Sequence, residues 1–210
     1  MDQIEFVPDA VRAAFASAAD AYVDVVGRIP ASAWDHLALG VWNVRDLAGH
    51  ASRALVTVST YLEAGVGKPV EVASPFDYFA VLTSPYADQD EIAERGRQAG
   101  RDLGDDPVAR VTALRDAALA AVAGASDDAP VASPAGVMRL IDYLPSRIFE
   151  LTIHTADIAR AAGVSFSPDP GATTITFACL ASVAVARDLA LDALLAIAGR
   201  GPLPEGYSAL

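Results

Sequence analysis

A glutamate and a histidine lie four residues apart in the segment FELTIHTADIARAAG, as Glu150 and His154, and Asp157 follows three residues later. On an α-helix, residues four apart are separated by roughly 40° around the axis and ~6 Å along it, so both side chains can point at one atom. A carboxylate and an imidazole can each give a metal ion one bond. Because two ligands do not make a strong site, the pattern predicts a third ligand on another element.

Histidine is the natural third ligand, and the chain has three of them. His36 precedes the second predicted helix, where a loop position is expected, whereas His50 lies near the second turn of that helix. Facing helices of a bundle assemble metal sites from inward-pointing side chains. Together with Glu150 and His154, His50 would make a two-histidine, one-carboxylate set with an open coordination position, as in catalytic zinc sites. Ligand type alone does not distinguish Zn²⁺ from Fe²⁺, Mn²⁺ or Ni²⁺.

Simpler interpretations of the same residues stay open at this point. A Glu–His pair at helical spacing is common on a solvated helix face, and His50 can be an ordinary half-buried histidine bonded to Asp46. Asp157 can be a surface acid or the partner of Arg160, three residues later. Three arginines can either meet an anionic substrate group or form ordinary surface ion pairs: Arg45, Arg53 and Arg147.

Regular hydrophobic spacing predicts the helices that must carry these residues. Their expected bounds are 8–28, 43–64, 105–122, 142–162 and 172–198, with 75–103 as a helical segment broken at Pro85. No convincing strand pattern is present, and 131–138 is expected as an extended connector. The economical fold is all-α, a bundle of four principal helices with shorter helices in the middle of the chain.

The second helix has the clearest start signal in the chain. Asn43 can accept a hydrogen bond from the amide of Asp46, whose carboxylate can reach back, which is a capping box. Trp42 and Leu47 are placed to form the hydrophobic staple of the same motif. In the later helix, Pro145 is tolerable because we expect it in the first turn. Both helices are thus predicted to be rigid supports for the candidate ligands.

Composition and charge narrow the classes of partner. Of 210 residues, 27 are acidic and 15 are basic, and the net charge of −12 disfavours nucleic acid and anionic membrane surfaces. The apolar run 172–186 is shorter than the about 20 residues that a membrane span needs.

The only cysteine, Cys179, permits no intramolecular disulfide and is expected to be a small buried apolar residue. We therefore predict a cytoplasmic protein.

Two segments and the tail resemble a known family. LGVWNVRDLAGHASRALVTVSTYL and DYLPSRIFELTIHTADIARAAG carry the resemblance, and the closing GRGPLPEG adds to it. They are similar to signatures of the mycothiol-dependent maleylpyruvate isomerase N-terminal domain family, a branch of the DinB-like superfamily. The resemblance covers most of the chain and implies a DinB-like four-helix bundle with a bound divalent metal, typically zinc.

The resemblance also implies roles for particular residues. The metal ligands of the family fall on His50, Glu150 and His154. Arg147 and Asp157 match further positions of the pattern, and we predict them as candidate catalytic residues, without a metal-ligand role for Asp157. The thiol cofactor implied by the family is mycothiol.

The predicted function is metal-dependent chemistry with a small thiol, either S-transfer to a small electrophile or isomerisation by reversible addition. A metal-dependent hydrolase is the first alternative, with Asp157 or Asp46 as general base. A non-enzymatic metal-binding bundle is the second. The partners expected are therefore a thiol and a small electrophilic substrate.

The predicted organisation is a single DinB-like domain over 1–210. About 45 residues follow Gly163 and are expected as one helix and a coil. The C-terminal domain that completes the substrate pocket in two-domain relatives is therefore expected to be absent, which argues against maleylpyruvate isomerisation itself. The apolar last helix is a candidate homodimer contact.

Overall fold

Helices form most of the chain in the computed structural model, which describes residues 6–72, 74–82 and 89–209. The α-helices are α1 (Pro8–Gly27), α2 (Val44–Gly65), α3 (Pro75–Leu82), α4 (Gln89–Arg101), α5 (Pro107–Gly124), α6 (Leu140–Ala162), α7 (Pro170–Ala186) and α8 (Ala190–Ile197). The strands are β1 (Leu37–Leu39), β2 (Trp42–Asn43), β3 (Pro130–Ser133) and β4 (Gly136–Arg139), and a short 3₁₀ helix spans Ala31–Ala33. The predicted all-α fold class is confirmed.

The long helices α1, α2, α6 and α7 pack around an apolar core. α6 lies at the centre of the bundle and contacts the other three. Its residues Leu144, Ile148 and Leu151 are fully buried, as are Phe15 of α1 and Leu55 of α2. Burial of each such side chain contributes about 1.5–3 kcal/mol. The core therefore holds α2 and α6 against each other, and these are the two helices that carry the candidate ligands.

The start of α2 has the predicted capping box. The side-chain oxygen of Asn43 accepts a hydrogen bond from the Asp46 amide at 2.8 Å, and the Asp46 carboxylate accepts one from the Asn43 amide at 3.4 Å. α2 also lies very close to α4, because a Cβ atom on Gly49 would come within 2.1 Å of the Gly100 backbone. His50 follows directly in the chain, so both its own helix and the neighbouring one fix its position.

Two short hairpins contradict the expectation of a chain without strands. β1 pairs with β2 and β3 pairs with β4, both antiparallel, and Val72 adds an isolated bridge to Met138. Each strand has two to four residues, which is too short for an alternating pattern to be recognised in the sequence. The connector expected over 131–138 is the β3–β4 hairpin, in which Gly136 has a positive φ of 115°.

α6 begins at Leu140, two residues before the predicted start. No side chain caps the start of α6. Backbone carbonyls of the loop before β3 accept hydrogen bonds from its first amides instead: Leu140 N–H donates to Ala129 O at 2.8 Å, and Ile141 N–H donates to Asp127 O at 3.1 Å. Pro145 is therefore the sixth helical residue, and the prediction that it lies in the first turn is wrong. The helix continues past it to Ala162 with one backbone donor fewer.

The single helix predicted over 172–198 is in fact two helices. α7 ends in a Schellman motif, in which Leu189 N–H donates to Ala184 O at 2.8 Å and Asp188 N–H donates to Val185 O at 3.2 Å. Asp188 has a φ of 57°, the left-handed conformation that stops a helix. Aspartate adopts this conformation more readily than most residues, but an Asp inside an Ala-rich run does not by itself indicate a break.

Three further expectations concern burial, a helix break and the membrane. Cys179 is fully buried on α7, as predicted, and burial raises the pKa of its thiol to about 12. The break predicted at Pro85 lies outside the described residues. Among the residues that the structure does describe, none of the helices combines the length and the apolar character that crossing a bilayer requires.

Candidate metal centre

The three predicted ligands meet where α2 packs against α6. Glu150 and His154 lie on α6, and His50 reaches them from α2. The Nε2 atom of His154 lies 3.1 Å from Oε2 of Glu150, and the Nε2 atom of His50 lies 3.9 Å from the same oxygen. One ligand atom from each residue lies within 4.8 Å of the other two. The residues are thus brought together as the sequence predicts, from helices about 100 positions apart in the chain.

This geometry fits a divalent metal ion. Tetrahedral zinc has ligand bonds of about 2.0–2.2 Å, so its ligand atoms stand roughly 3.3–3.5 Å apart. The distances of 3.1 Å and 3.9 Å bracket that value. The buried Nδ1 atoms of His50 and His154 have no hydrogen-bond partner in the described part of the chain. Both Nε2 atoms, in contrast, face the Glu150 carboxylate, which is the arrangement that two imidazole ligands and one carboxylate ligand need.

The cluster is partly exposed to solvent. The side chains of His50 and Glu150 are each 22% exposed, and that of His154 is 15% exposed. A site closed by four protein ligands would be typical of a structural metal, whereas three ligands with solvent access leave a coordination position for a substrate. The described residues provide three ligands of this kind.

Burial and mutual attraction set the protonation of the cluster. Burial, and after it the neighbouring His154, lower the pKa of His50 to about 4. Burial opposes ionisation of Glu150, but the hydrogen bond and charge of His154 outweigh it and lower the pKa of Glu150 to about 2. Burial also lowers the pKa of His154, but the carboxylates of Asp157 and Glu150 outweigh it and raise that pKa to about 9. A metal that binds here at neutral pH must therefore displace a proton from His154.

The Trp42 indole packs against the His50 ring. The two ring centroids lie 4.4 Å apart with the planes tilted by 31°, and the Trp42 indole N–H donates to Ala93 O at 2.9 Å. The indole lies directly against Gly96 of α4, where a Cβ atom would come within 2.4 Å of the ring. The sequence itself predicts only a packing role in a hydrophobic staple for Trp42. The one sequence signal for this contact is Gly96, which lies inside the helical segment expected over 75–103, since a glycine inside a helix often has a packing reason.

Asp157 lies on the far side of the His154 ring from the other two ligands. Its carboxylate is 3.8 Å from His154 Nδ1, and it accepts a hydrogen bond from Arg160 at 2.8 Å. The pairing with Arg160 was one of the simpler interpretations of Asp157 and is present. Because Asp157 faces Nδ1, it can orient the imidazole but does not face the open position of the cluster.

Arg147 is a buried cation next to the cluster. Its Nη2 donates to the Tyr78 hydroxyl at 2.8 Å and its Nε donates to Ser146 Oγ at 3.1 Å. The guanidinium also lies over the Tyr143 ring, 4.8 Å from the centroid. Within the described residues, no carboxylate oxygen lies within 4.0 Å of it, although its charge lowers the pKa of Glu150. Tyr78 lies on α3, and nothing in the sequence around it predicts this contact.

The remaining candidates have structural roles or lie elsewhere. Arg45 donates to Gly100 O at 3.0 Å and also to Gly104 O, so it holds the end of α4. Asp46 belongs to the capping box described above. His36 is exposed and is not part of the ligand cluster. The alternative in which Asp46 acts as general base thus has no support from its position.

Family comparison agrees with the resemblance inferred from the sequence. Residues 15–159 match the sequence model of the mycothiol maleylpyruvate isomerase N-terminal domain. The match covers more than half of the chain and includes all three predicted ligands, Arg147 and Asp157. The chain belongs to this family, which is part of the DinB-like superfamily, and its bundle is DinB-like. No curated protein and no solved structure matches the chain significantly.

Proposed function

We propose that this protein is a metal-dependent enzyme that uses a low-molecular-weight thiol, mycothiol, to act on a small electrophile. The reaction is S-transfer or a thiol-assisted isomerisation. The observation that carries the proposal is the convergence of three ligand atoms within 4.8 Å in a solvent-accessible site. The family supplies the thiol, because its members are described by their relation to mycothiol.

The metal ligands in this proposal are Nε2 of His50, Oε2 of Glu150 and Nε2 of His154. Zinc is the expected ion, and Ni²⁺, Mn²⁺ and Fe²⁺ are compatible with the same donors. A bound divalent ion would supply Lewis acidity that favours the deprotonated, nucleophilic form of a thiol. Trp42 holds the His50 ring in place, and Asp157 orients His154 through its Nδ1 side. We therefore assign Asp157 a positioning role within the predicted catalytic set.

The thiol must come from outside the chain. Cys179 is the only cysteine, it is fully buried on α7, and its pKa of about 12 leaves almost no thiolate at neutral pH. The protein therefore has no thiolate of its own for nucleophilic attack, which is consistent with the use of a small thiol as co-substrate.

Arg147 and Tyr78 are proposed to hold an anionic group of the electrophile. A divalent ion more than neutralises Glu150, so the buried guanidinium would then lack a negative partner. An unpaired buried charge is unfavourable, and a carboxylate is the group that a guanidinium binds best. A carboxylate-bearing electrophile would restore the balance of charge beside the metal. This is the catalytic role that we propose for Arg147.

Metal analysis and a thiol-dependence assay test the proposal. The protein is purified without added metal, and turnover of a panel of electrophiles is measured with and without mycothiol and with and without a chelator. We expect thiol-dependent turnover that the chelator abolishes, and we expect His154→Ala to lose both metal and turnover. His36→Ala is the matched control, because His36 is exposed and outside the cluster; it should keep both.

Two outcomes would contradict the proposal. A metal-loaded protein without turnover of any electrophile in the presence of mycothiol would exclude S-transfer chemistry on that panel. Equal turnover with and without thiol would indicate a hydrolase instead. The organisation of 1–210 as a single domain stays a prediction that none of these assays addresses.

A further inference from the structure

α8 is an apolar helix without a buried face. None of its residues is buried, and Leu191, Leu194 and Ile197 are 67%, 64% and 74% exposed. Leu195 is also exposed. Single exposed apolar side chains are ordinary, but a group of large aliphatic side chains within two helical turns is typical of a surface that is covered by a partner.

α7 extends this apolar surface. Phe177 and Val185 lie eight residues apart on α7, about 80° apart around its axis, and they are 55% and 48% exposed. α8 packs against α7. We call the combined set the C-terminal apolar surface: Phe177, Val185, Leu191, Leu194, Leu195 and Ile197. Together these side chains expose on the order of 700 Å², close to the ~800 Å² per partner that a standard protein–protein interface buries.

The charge of this segment favours a second copy as the partner. The chain carries a net charge of −12, which opposes self-association elsewhere on its surface. The segment 177–203 has two basic and two acidic residues and is neutral: Arg187, Asp188, Asp192 and Arg200. Two copies can therefore approach through this surface without the repulsion that the rest of the chain would produce.

A membrane is a poorer match for the same surface. Helices that lie in a membrane interface have Lys and Arg on their polar face to meet anionic lipids. α8 has no basic residue, and its one charged residue is Asp192. The chain as a whole is acidic, so anionic lipid headgroups would repel it.

We propose that the C-terminal apolar surface is the interface of a homodimer in which the same surface of two copies meets across a two-fold axis. Such an interface needs no second, complementary surface, because each copy supplies the same residues. The inference does not depend on the metal centre, whose ligands lie on α2 and α6. It also identifies α8, rather than the core-facing α7, as the main dimer contact of the C-terminal helices.

Sedimentation velocity over a range from low micromolar to submillimolar protein tests the proposal. The unaltered chain should reach twice its monomer mass of 21.7 kDa. The double variant Leu191→Ser with Leu194→Ser should weaken the dimer by about a hundredfold or more, because large central apolar contacts dominate interface energies. Leu37→Ser is the matched control: Leu37 is 73% exposed in β1, away from α8, and its loss should leave association unchanged.

Hydrogen exchange on the unaltered chain gives a second readout that does not rely on a variant remaining folded. Amides of α8 should exchange more slowly as the protein concentration rises, whereas amides of β1 should not change. A chain that stays monomeric at the highest concentration overturns the proposal. A dimer that persists in the double variant, or that protects a surface other than α7 and α8, overturns it as well.

Discussion

The candidate metal centre holds polar and charged side chains in the interior, whereas the C-terminal apolar surface exposes large apolar side chains to solvent. At the candidate metal centre, which lies in a helical bundle, Arg147 is buried and the side chains of Glu150 and His154 are only 22% and 15% exposed. On α8, large side chains such as Leu191 and Leu194 face solvent. Polar groups are usually outside and large apolar groups inside, so both regions are informative exceptions. The first exception is the basis of the proposed metal site, and the second is the basis of the proposed dimer.

The two regions also differ in how firmly the fold supports them. The candidate metal centre lies between α2 and α6, which share the core; Trp42 packs against the His50 ring, and the Asp157 carboxylate lies 3.8 Å from His154 Nδ1. α8 follows a helix stop at Asp188 and makes its helix contacts with α7. The candidate ligands are therefore brought together within one chain, whereas the C-terminal apolar surface would be covered by the second copy in the proposed dimer.

The largest effect is expected from Glu150→Gln. The amide keeps the shape of the side chain but removes the charge that attracts the cation. Loss of an outer hydrogen-bonding partner weakens metal binding by about 10–100-fold, so loss of a charged ligand should exceed about a hundredfold. A competition titration against a chromophoric chelator measures the dissociation constant. An unchanged constant would show that Glu150 is not a ligand.

A smaller effect is expected from Asp157→Asn, because Asp157 acts on the metal through His154. We expect metal affinity to fall by about 10–100-fold. Asp24→Asn is the control: Asp24 also forms an ion pair with an arginine nearby in the chain, at 2.7 Å from Arg28, but lies on α1, which carries none of the candidate ligands. If both variants bind metal equally well, the positioning role of Asp157 is wrong.

The smallest effect is expected from Leu194→Ala on the stability of the monomer. At concentrations below dimer formation, the free energy of unfolding should change by no more than about 0.5 kcal/mol, since the side chain is exposed. The matched variant Leu151→Ala removes a fully buried leucine of α6 and should cost about 2–5 kcal/mol. Urea denaturation measures both. A large loss for Leu194→Ala would mean that α8 packs within the monomer.

Local patterns in the sequence predicted the parts of the site that lie on one helix. The spacing of Glu150 and His154 and the capping pair Asn43–Asp46 depend on neighbours within four residues, and such relations can be read from periodicity. The meeting of His50 with α6 required a fold hypothesis as well, which the family resemblance supplied. These three contributions were enough to predict the bundle and the cluster of candidate ligands.

Contacts between distant elements were not predictable in the same way. The Trp42–His50 stack depends on α4 passing close enough to accept the indole at Gly96, and the Arg147–Tyr78 hydrogen bond depends on where α3 lies. The stop at Asp188 depends on one residue adopting a left-handed conformation. The two side-chain contacts are determined by tertiary packing, and the helix stop by a small local energy difference; amino-acid composition reveals neither.

Anomalous X-ray diffraction at the absorption edge of the bound metal tests the central claim most directly. Crystals of protein purified without added metal, with the element identified beforehand by mass spectrometry, should show one strong peak within about 2.0–2.2 Å of His50 Nε2, Glu150 Oε2 and His154 Nε2. A strong peak held by other residues, or no peak between α2 and α6 in metal-loaded protein, would contradict the account.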